Sequence, residues 1–187
     1  MGRIVLGAIL GLILASLTGL AWLKWGHPPV AVADPPLPYE RQLTHIALHA
    51  RIARDMPGKP PIPADAANLL AGAEVYRDQC ASCHGFHGQP SNVGPHMFPP
   101  PPPLWEKHRN GSAVGVSNDP PGATYWKVAN GIRLTGMPAF KDALSETQIW
   151  QVSVLLANAD KPLPPIVLAF VSGQAPAAAP SAPVPHR

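Results

Sequence analysis

Charged residues are scarce in this chain. Asp, Glu, Lys and Arg make up 13% of its 187 residues, about half of their usual share in globular proteins. The formal net charge is only +3, and the basic residues form no continuous cluster. A clustered basic patch is the electrostatic mark of nucleic-acid binding. The composition therefore gives no support to a protein that binds DNA or RNA.

Cysteine is equally scarce, because the chain has only two, Cys80 and Cys83. Two thiols this close can form a redox pair, half of a zinc site or a structural disulfide. A thioredoxin-like redox pair is expected beside a βαβ pattern, and none follows here. A zinc site needs two further ligands at close spacing. These three alternatives are weaker than the one that the next residue indicates.

His84 directly follows the second cysteine, so that residues 80–84 read Cys-Ala-Ser-Cys-His. That order is the attachment signature of a c-type haem. Each thiol adds to a vinyl group of the porphyrin, and the imidazole that follows binds the iron as the proximal ligand. We therefore expect Cys80 and Cys83 to carry one covalent haem c, with His84 bound to its iron.

Proline, by contrast, is abundant, with 26 residues against an average usage of about 5%. We interpret 26–63 as a Pro-rich linker with a short helix, and 161–187 as a disordered Pro/Ala-rich tail. The haem domain is then expected at 64–160. The linker helix is predicted at 39–56. One thin apolar face should pack on the domain rather than on a membrane surface, and its members are Leu43, Ile46, Ala47 and Ala50.

One long uncharged run occupies residues 4–23. About 20 apolar residues cross the core of a bilayer as a helix, and Trp22 and Trp25 lie where aromatic rings favour the membrane interface. A cleaved signal peptide is the alternative, because residues 31–33, Ala-Val-Ala, resemble a cleavage site. The run is longer than the about 7–15 apolar residues usual in signal peptides. We therefore favour a retained transmembrane anchor over residues 1–25.

A helix is predicted over 65–79, ending where the attachment motif begins. Gly72 lies inside it, where glycine is less favourable than alanine by about 1 kcal/mol. Such a glycine needs a packing reason, and a close crossing by the final helix, predicted over 145–158, would supply one. Ser145 is a residue type that caps helix N-termini. We expect these two helices to cross at Gly72.

The segment 66–160 resembles a monohaem class I cytochrome c of the membrane-anchored bacterial type. Beyond the attachment motif and the final helix, the resemblance rests on Gly72 with Tyr76, on Gly94-Pro95 and on Gly136-Met137-Pro138-Ala139-Phe140. It implies an all-α fold for the haem domain. The N-terminal transmembrane helix that we expect before this domain lies outside the resemblance.

The sixth ligand of the iron is expected to be Met137, because the resemblance implies a methionine in a Gly-Met-Pro setting. Met56 precedes the domain. Met97 follows His84 by only thirteen residues, which leaves little chain to reach the opposite face of the haem. Met137 follows it by fifty-three. The alternatives are an open position, His87, His96 or His108.

The ligating imidazole needs an acceptor for its other ring N–H, and the resemblance implies the carbonyl of Pro95. Haem propionates need donors, for which the candidates are Arg133, Trp105, Tyr125 and Trp126. The five prolines of 99–103 should form an extended wall beside the haem edge. The alternative is a motif for a polyproline-binding domain.

The resemblance implies a one-electron carrier and not an enzyme, because a histidine and a methionine would fill both axial positions of the iron. Haem attachment takes place outside the cytoplasm, so we expect the domain in the periplasm. Its partners would be redox proteins such as respiratory complexes or periplasmic dehydrogenases. Two alternatives stay open. One is an electron-entry subunit of a fixed oxidase or dehydrogenase complex, and the other is a haem enzyme or gas sensor with an open sixth position.

Overall fold

The computed structural model describes residues 1–109 and 111–174. Their regular elements are helices, and no β-strand forms in this part of the chain, which confirms the all-α expectation. The elements are α1 (Gly2–Trp25), α2 (Glu40–Asp55), α3 (Ala66–Gln79), α4 (Ala81–His84), a 3₁₀ turn (Gly94–His96), α5 (Pro121–Asn130), α6 (Glu146–Leu156) and α7 (Pro165–Val171). The chain divides into two compact units, of which the second begins at His45.

Helix α1 has 24 residues, a mean hydropathy of 2.4 over its most apolar window and no buried side chain. Among the described residues, it is the one helix that is long and apolar enough to cross a membrane. A signal sequence near an N-terminus meets the same criterion. The helix is therefore compatible with the predicted anchor over residues 1–25.

The core of the second unit is built on the crossing of α3 and α6. A Cβ atom on Gly72 would collide with the carbonyl oxygen of Gln151 and lie 3.1 Å from the Cβ of Leu155. Tyr76 and Leu155 are fully buried beside this crossing, and burying a side chain such as Leu stabilises a fold by roughly 1.5–3 kcal/mol. The predicted crossing at Gly72 is confirmed, and it explains why a glycine stands inside the helix.

Both crossing helices begin at a capping side chain. The carboxylate of Asp65 accepts from the backbone N–H of Asn68 at 2.9 Å. Ser145 and Gln148 form a capping box, in which each side chain bonds the backbone N–H of the other. These contacts satisfy amide groups that have no partner inside the helix. The predicted N-cap at Ser145 is confirmed.

Helix α2 lies close to its predicted bounds, but its packing differs from the prediction. Leu43 and Ile46, in the stripe expected to face the domain, are 65% and 67% exposed. Ile52 is the buried residue of this helix. Ile52 lies nine residues after Leu43. At 100° per residue, the two side chains therefore point to opposite sides of the helix. The packing face is therefore opposite the predicted one.

Helix α7 lies in the segment that we predicted to be a disordered tail. Val167 and Val171 are fully buried, and the guanidinium of Arg77 lies 4.9 Å from the ring of Phe170. Pro165 stands at the first turn, where its fixed φ favours a helix and its missing N–H costs nothing. The predicted boundary at 160 is thus too early, because this short apolar segment packs on α3. The part of the predicted tail from 175 to 187 lies outside the described residues.

Candidate haem site

The attachment motif forms one helical turn at the end of α3. The backbone N–H of Cys80 bonds the carbonyl of Tyr76, and the N–H of His84 bonds the carbonyl of Cys80, both at 2.9 Å. Cys80 and Cys83 are three residues apart, which places their side chains on the same face of the turn. Both thiols are free. The predicted disulfide alternative is therefore not formed in this structure.

The turn is fixed to the core by Tyr76. Its hydroxyl donates to the carbonyl of Gly85 at 2.5 Å, immediately after the predicted iron ligand. Burial of the phenol, assisted by the nearby Cys80, raises the pKa of Tyr76 above its ordinary value. The hydroxyl therefore keeps its proton and can donate. The aromatic residue was part of the resemblance, but nothing in the sequence indicated this hydrogen bond.

The imidazole of His84 is held in one orientation. Its Nδ1 lies 2.8 Å from the carbonyl oxygen of Pro102, and a carbonyl can only accept, so Nδ1 carries the proton. Desolvation lowers the pKa of His84, although the bond to Pro102 opposes the shift. The ring is thus neutral, with the lone pair on Nε2. No described residue hydrogen-bonds to that nitrogen.

The acceptor differs from the predicted one, Pro95. Pro95 belongs to the 3₁₀ turn, where Gly94 packs behind the attachment motif; a Cβ on Gly94 would lie 2.6 Å from the carbonyl oxygen of Cys83. The carbonyls of a polyproline segment have no hydrogen bonds of their own, and Pro102 stands in such a run. In the structure the carbonyl at His84 Nδ1 is that of Pro102, and not that of Pro95 as the resemblance implied.

The loop that carries Met137 is pinned to the end of α5. The N–H of Phe140 bonds the carbonyl of Val128 in α5 at 3.0 Å, and within the loop the N–H of Ile132 bonds the carbonyl of Met137 at 3.2 Å. Inside the loop, Thr135 Oγ1 accepts from the N–H of Met137 at 3.1 Å. We call residues 131–140 the methionine loop. Met137 is half-buried against the core, and its role as an iron ligand stays a prediction.

A second methionine reaches the same loop. The methyl group of Met97 occupies the space that a Cβ on Gly136 would fill, and its sulfur lies 3.7 Å from that position. The twelve residues between His84 and Met97 are therefore enough for its side chain to touch the methionine loop. The expectation that little chain is left for Met97 to reach the opposite face of the haem stays a prediction.

The remaining predicted residues lie in different places. Trp105 is buried with its ring 5.4 Å from Tyr76 and 6.1 Å from His87, edge-on in both cases. Arg133 is exposed on the methionine loop. Tyr125 instead packs on Trp150, with ring centroids 4.3 Å apart. The propionate-binding roles of Trp105 and Arg133 stay predictions.

The donor set fits a covalently bound haem. It combines two unpaired thiols on one turn with a neutral imidazole whose Nε2 is available, which is the set that thioether attachment and iron ligation require. Burial raises the pKa of the Cys80 thiol to about 12, so that sulfur carries its proton before attachment. A zinc alternative finds no support, since no group of three or more metal-binding side chains occurs in 1–109 or 111–174. The fold and this turn define a helical domain that carries haem covalently.

Comparisons with known proteins identify the domain further. Residues 67–156 match the family model described as cytochrome C oxidase, cbb3-type, subunit III. The chain is 28% identical over 122 residues to a thiosulfate dehydrogenase of Stutzerimonas stutzeri (strain A1501), covering 62% of this chain and 36% of the relative. It is 30% identical over 98 residues to the quinohemoprotein alcohol dehydrogenase ADH-IIG of Pseudomonas putida, covering 52% of this chain and 11% of the relative.

The matched segment lies within the predicted domain at 64–160, and it contains the attachment turn, Pro102 and the methionine loop. It is a cytochrome c domain, an electron carrier whose cofactor is covalently bound haem c. The chain spans about a third and about a ninth of the lengths of these two relatives. Their names therefore describe larger proteins, of which only a part is similar to this one.

Proposed function

We propose that this protein passes single electrons between redox proteins outside the cytoplasm, with His84 and Met137 as the two axial ligands of its haem iron. The observation that carries this proposal is the orientation of His84. The carbonyl of Pro102 holds the imidazole in the tautomer that leaves Nε2 available, and a ligating histidine normally has such a partner on its other nitrogen.

The chain's own residues tune the site. The haem, when bound, supplies a one-electron change between ferric and ferrous iron. A thioether from Met137 favours the ferrous state and raises the reduction potential relative to a second imidazole. The methionine loop would exclude water and small ligands from the iron on the side of Met137. His84 and Met137 would together hold the iron and leave no position for a substrate, so the protein would act as a carrier and not as an enzyme.

The N-terminal helix supports a membrane location. Helix α1 is long enough to cross a bilayer, and covalent haem attachment takes place outside the cytoplasm. We therefore propose that α1 is retained as an anchor, with its N-terminus in the cytoplasm and the haem domain in the periplasm. Respiratory complexes and periplasmic dehydrogenases are the partners that this location offers.

The comparisons favour a second candidate function, an electron-entry subunit of a fixed oxidase or dehydrogenase complex. The matching family model is named for an oxidase subunit, and both relatives are named dehydrogenases. Purification of the full chain from native membranes in mild detergent separates the two functions. A carrier should elute alone, whereas a fixed subunit should elute with a stoichiometric partner.

Spectroscopy of the purified full chain tests the axial ligands. After acid–acetone treatment the pigment should stay with the polypeptide, because thioether bonds hold it. The ferric protein should show the weak near-infrared band of iron–sulfur ligation, and the reduced protein should not bind carbon monoxide.

Replacing Met137 with Ala should abolish the near-infrared band. Met56→Ala should keep it, since Met56 lies before the domain. A band that survives in Met137→Ala, or carbon monoxide binding by the wild type, would contradict the proposal and favour an open sixth position.

A further inference from the structure

The backbone of Met97 lies on the side of the site that carries His84. Its N–H bonds the carbonyl of Gly94 at 3.1 Å. Gly94 packs directly on the carbonyl of Cys83, and its N–H bonds Ser91 Oγ at 2.9 Å. The same Ser91 hydroxyl donates to the carbonyl of Ser82 at 2.5 Å. The backbone at Met97 is therefore tied to the attachment turn.

The side chain of Met97 contacts the methionine loop, on the opposite side of the site. Its methyl group takes the space above Gly136, the residue before the proposed ligand Met137. The φ of Gly136 lies outside the left-handed region, so its backbone conformation does not itself demand glycine. Among the described residues, a Cβ at this position would meet only the flexible end of the Met97 side chain. One side chain thus spans the gap between the segment that carries His84 and the loop that carries Met137.

We propose that Met97 is a positioning residue, which holds the methionine loop closed over the haem by packing on Gly136. This inference rests on the proposed ligation by Met137. The contact matters because the described backbone bonds between this part of the chain and α5 run from Phe140 to Val128 and from Lys141 to Ala129, all on the far side of Met137 from Gly136. Without Met97 the free edge of the loop should open more often, since local opening depends on the contacts that close a segment.

Cyanide binding to the ferric full chain measures this opening, because the methionine must leave the iron before cyanide can bind. Met97→Ala should bind cyanide faster by on the order of tenfold, since it removes the contact and leaves a void. Met97→Leu should stay close to the wild type, because Leu has similar volume. Val93→Ala is the matched control, being an exposed truncation in the same segment.

A double variant tests the contact itself. Gly136→Ala should also speed cyanide binding, because its methyl group collides with Met97. Both changes remove the same contact, so the double variant should bind cyanide no faster than Met97→Ala alone. Such non-additivity is expected only for residues in contact.

The outcomes distinguish this inference from the proposed function. If the wild type lacks the near-infrared band, Met137 is not the ligand and the proposed function fails. If the band is present but Met97→Ala matches Val93→Ala in cyanide rate, the positioning role fails alone. If Met97→Ala loses the band while Met137→Ala keeps it, Met97 is itself the ligand, and the positioning role is overturned.

Discussion

The attachment turn and the methionine loop are held by different kinds of contact. The turn that carries His84 is fixed by buried groups: the Tyr76 hydroxyl on Gly85, and α7, whose Val171 carbonyl accepts from His87 at 2.8 Å. The methionine loop is held by backbone bonds to α5, and its outer residues are exposed; Leu134 is 86% exposed. Regions with few buried contacts open most easily. Ligand exchange is therefore expected to begin on the methionine side.

The largest effect on the free energy of unfolding is expected at Gly72, in the helix that leads into the attachment turn. Gly72→Val should lower the free energy of unfolding by about 3 kcal/mol, because its side chain would collide with Gln151 and Leu155 at the crossing of α3 and α6. Denaturant unfolding followed by circular dichroism measures this. Gly58→Val is the control, since a Cβ there meets nothing within 4 Å. Equal stability of the two variants would mean that the helices do not cross at Gly72.

A smaller effect is expected from the hydrogen bond that fixes the attachment turn. Tyr76→Phe should lower the free energy of unfolding by about 1.5 kcal/mol, because the buried carbonyl of Gly85 loses its donor. Tyr39→Phe should have no effect, since Tyr39 is largely exposed. Equal losses in the two variants would contradict the role of this bond.

The pH dependence of stability gives a second test of the same residue. The pKa of Tyr76 is raised in the folded protein above its ordinary 10.0. Above pH 10 the unfolded chain therefore loses this proton while the folded chain keeps it. The unfolded state then binds fewer protons, and stability falls as the pH rises. The wild type should lose more stability than Tyr76→Phe above pH 10; parallel curves would show that the phenol is not shielded.

The smallest effect is expected in the methionine loop, and it should be local. Thr135→Val removes the acceptor for the N–H of Met137 and the donor to Ile132. Loss of about 1 kcal/mol should raise the rate of cyanide binding roughly fivefold, with little change in the global free energy of unfolding. Thr135→Ser keeps the hydroxyl and should behave as the wild type. If Thr135→Val lowered the free energy of unfolding as much as Tyr76→Phe does, the methionine loop would not differ from the attachment turn in the way we describe.

Much of the haem domain could be predicted because its signals are local. The attachment motif, the cap at Ser145 and the unexplained Gly72 each point to one physical requirement, and the helical structure satisfies all three. Helix α7 was missed because a segment that begins Pro-Leu-Pro-Pro resembles a tail. Its burial depends on a groove beside α3 that only the folded chain creates.

The acceptor of His84 was misassigned for a related reason. Pro95 and Pro102 are both prolines that follow the motif closely, and a carbonyl in either place could accept the ring N–H. Which one does so depends on the path of the chain after Gly94, where contacts with Cys83 and Pro101 set its direction. The contact of Met97 with Gly136 is likewise invisible in the sequence, since it joins residues thirty-nine positions apart.

A potentiometric titration of the wild type and of Met137→His tests the central claim most directly. The wild type should titrate as a single one-electron couple. Met137→His should titrate at a lower potential, because a second imidazole stabilises ferrous iron less than a thioether does. An unchanged potential in Met137→His would show that residue 137 does not bind the iron, and would contradict the account of this protein as a carrier ligated by His84 and Met137.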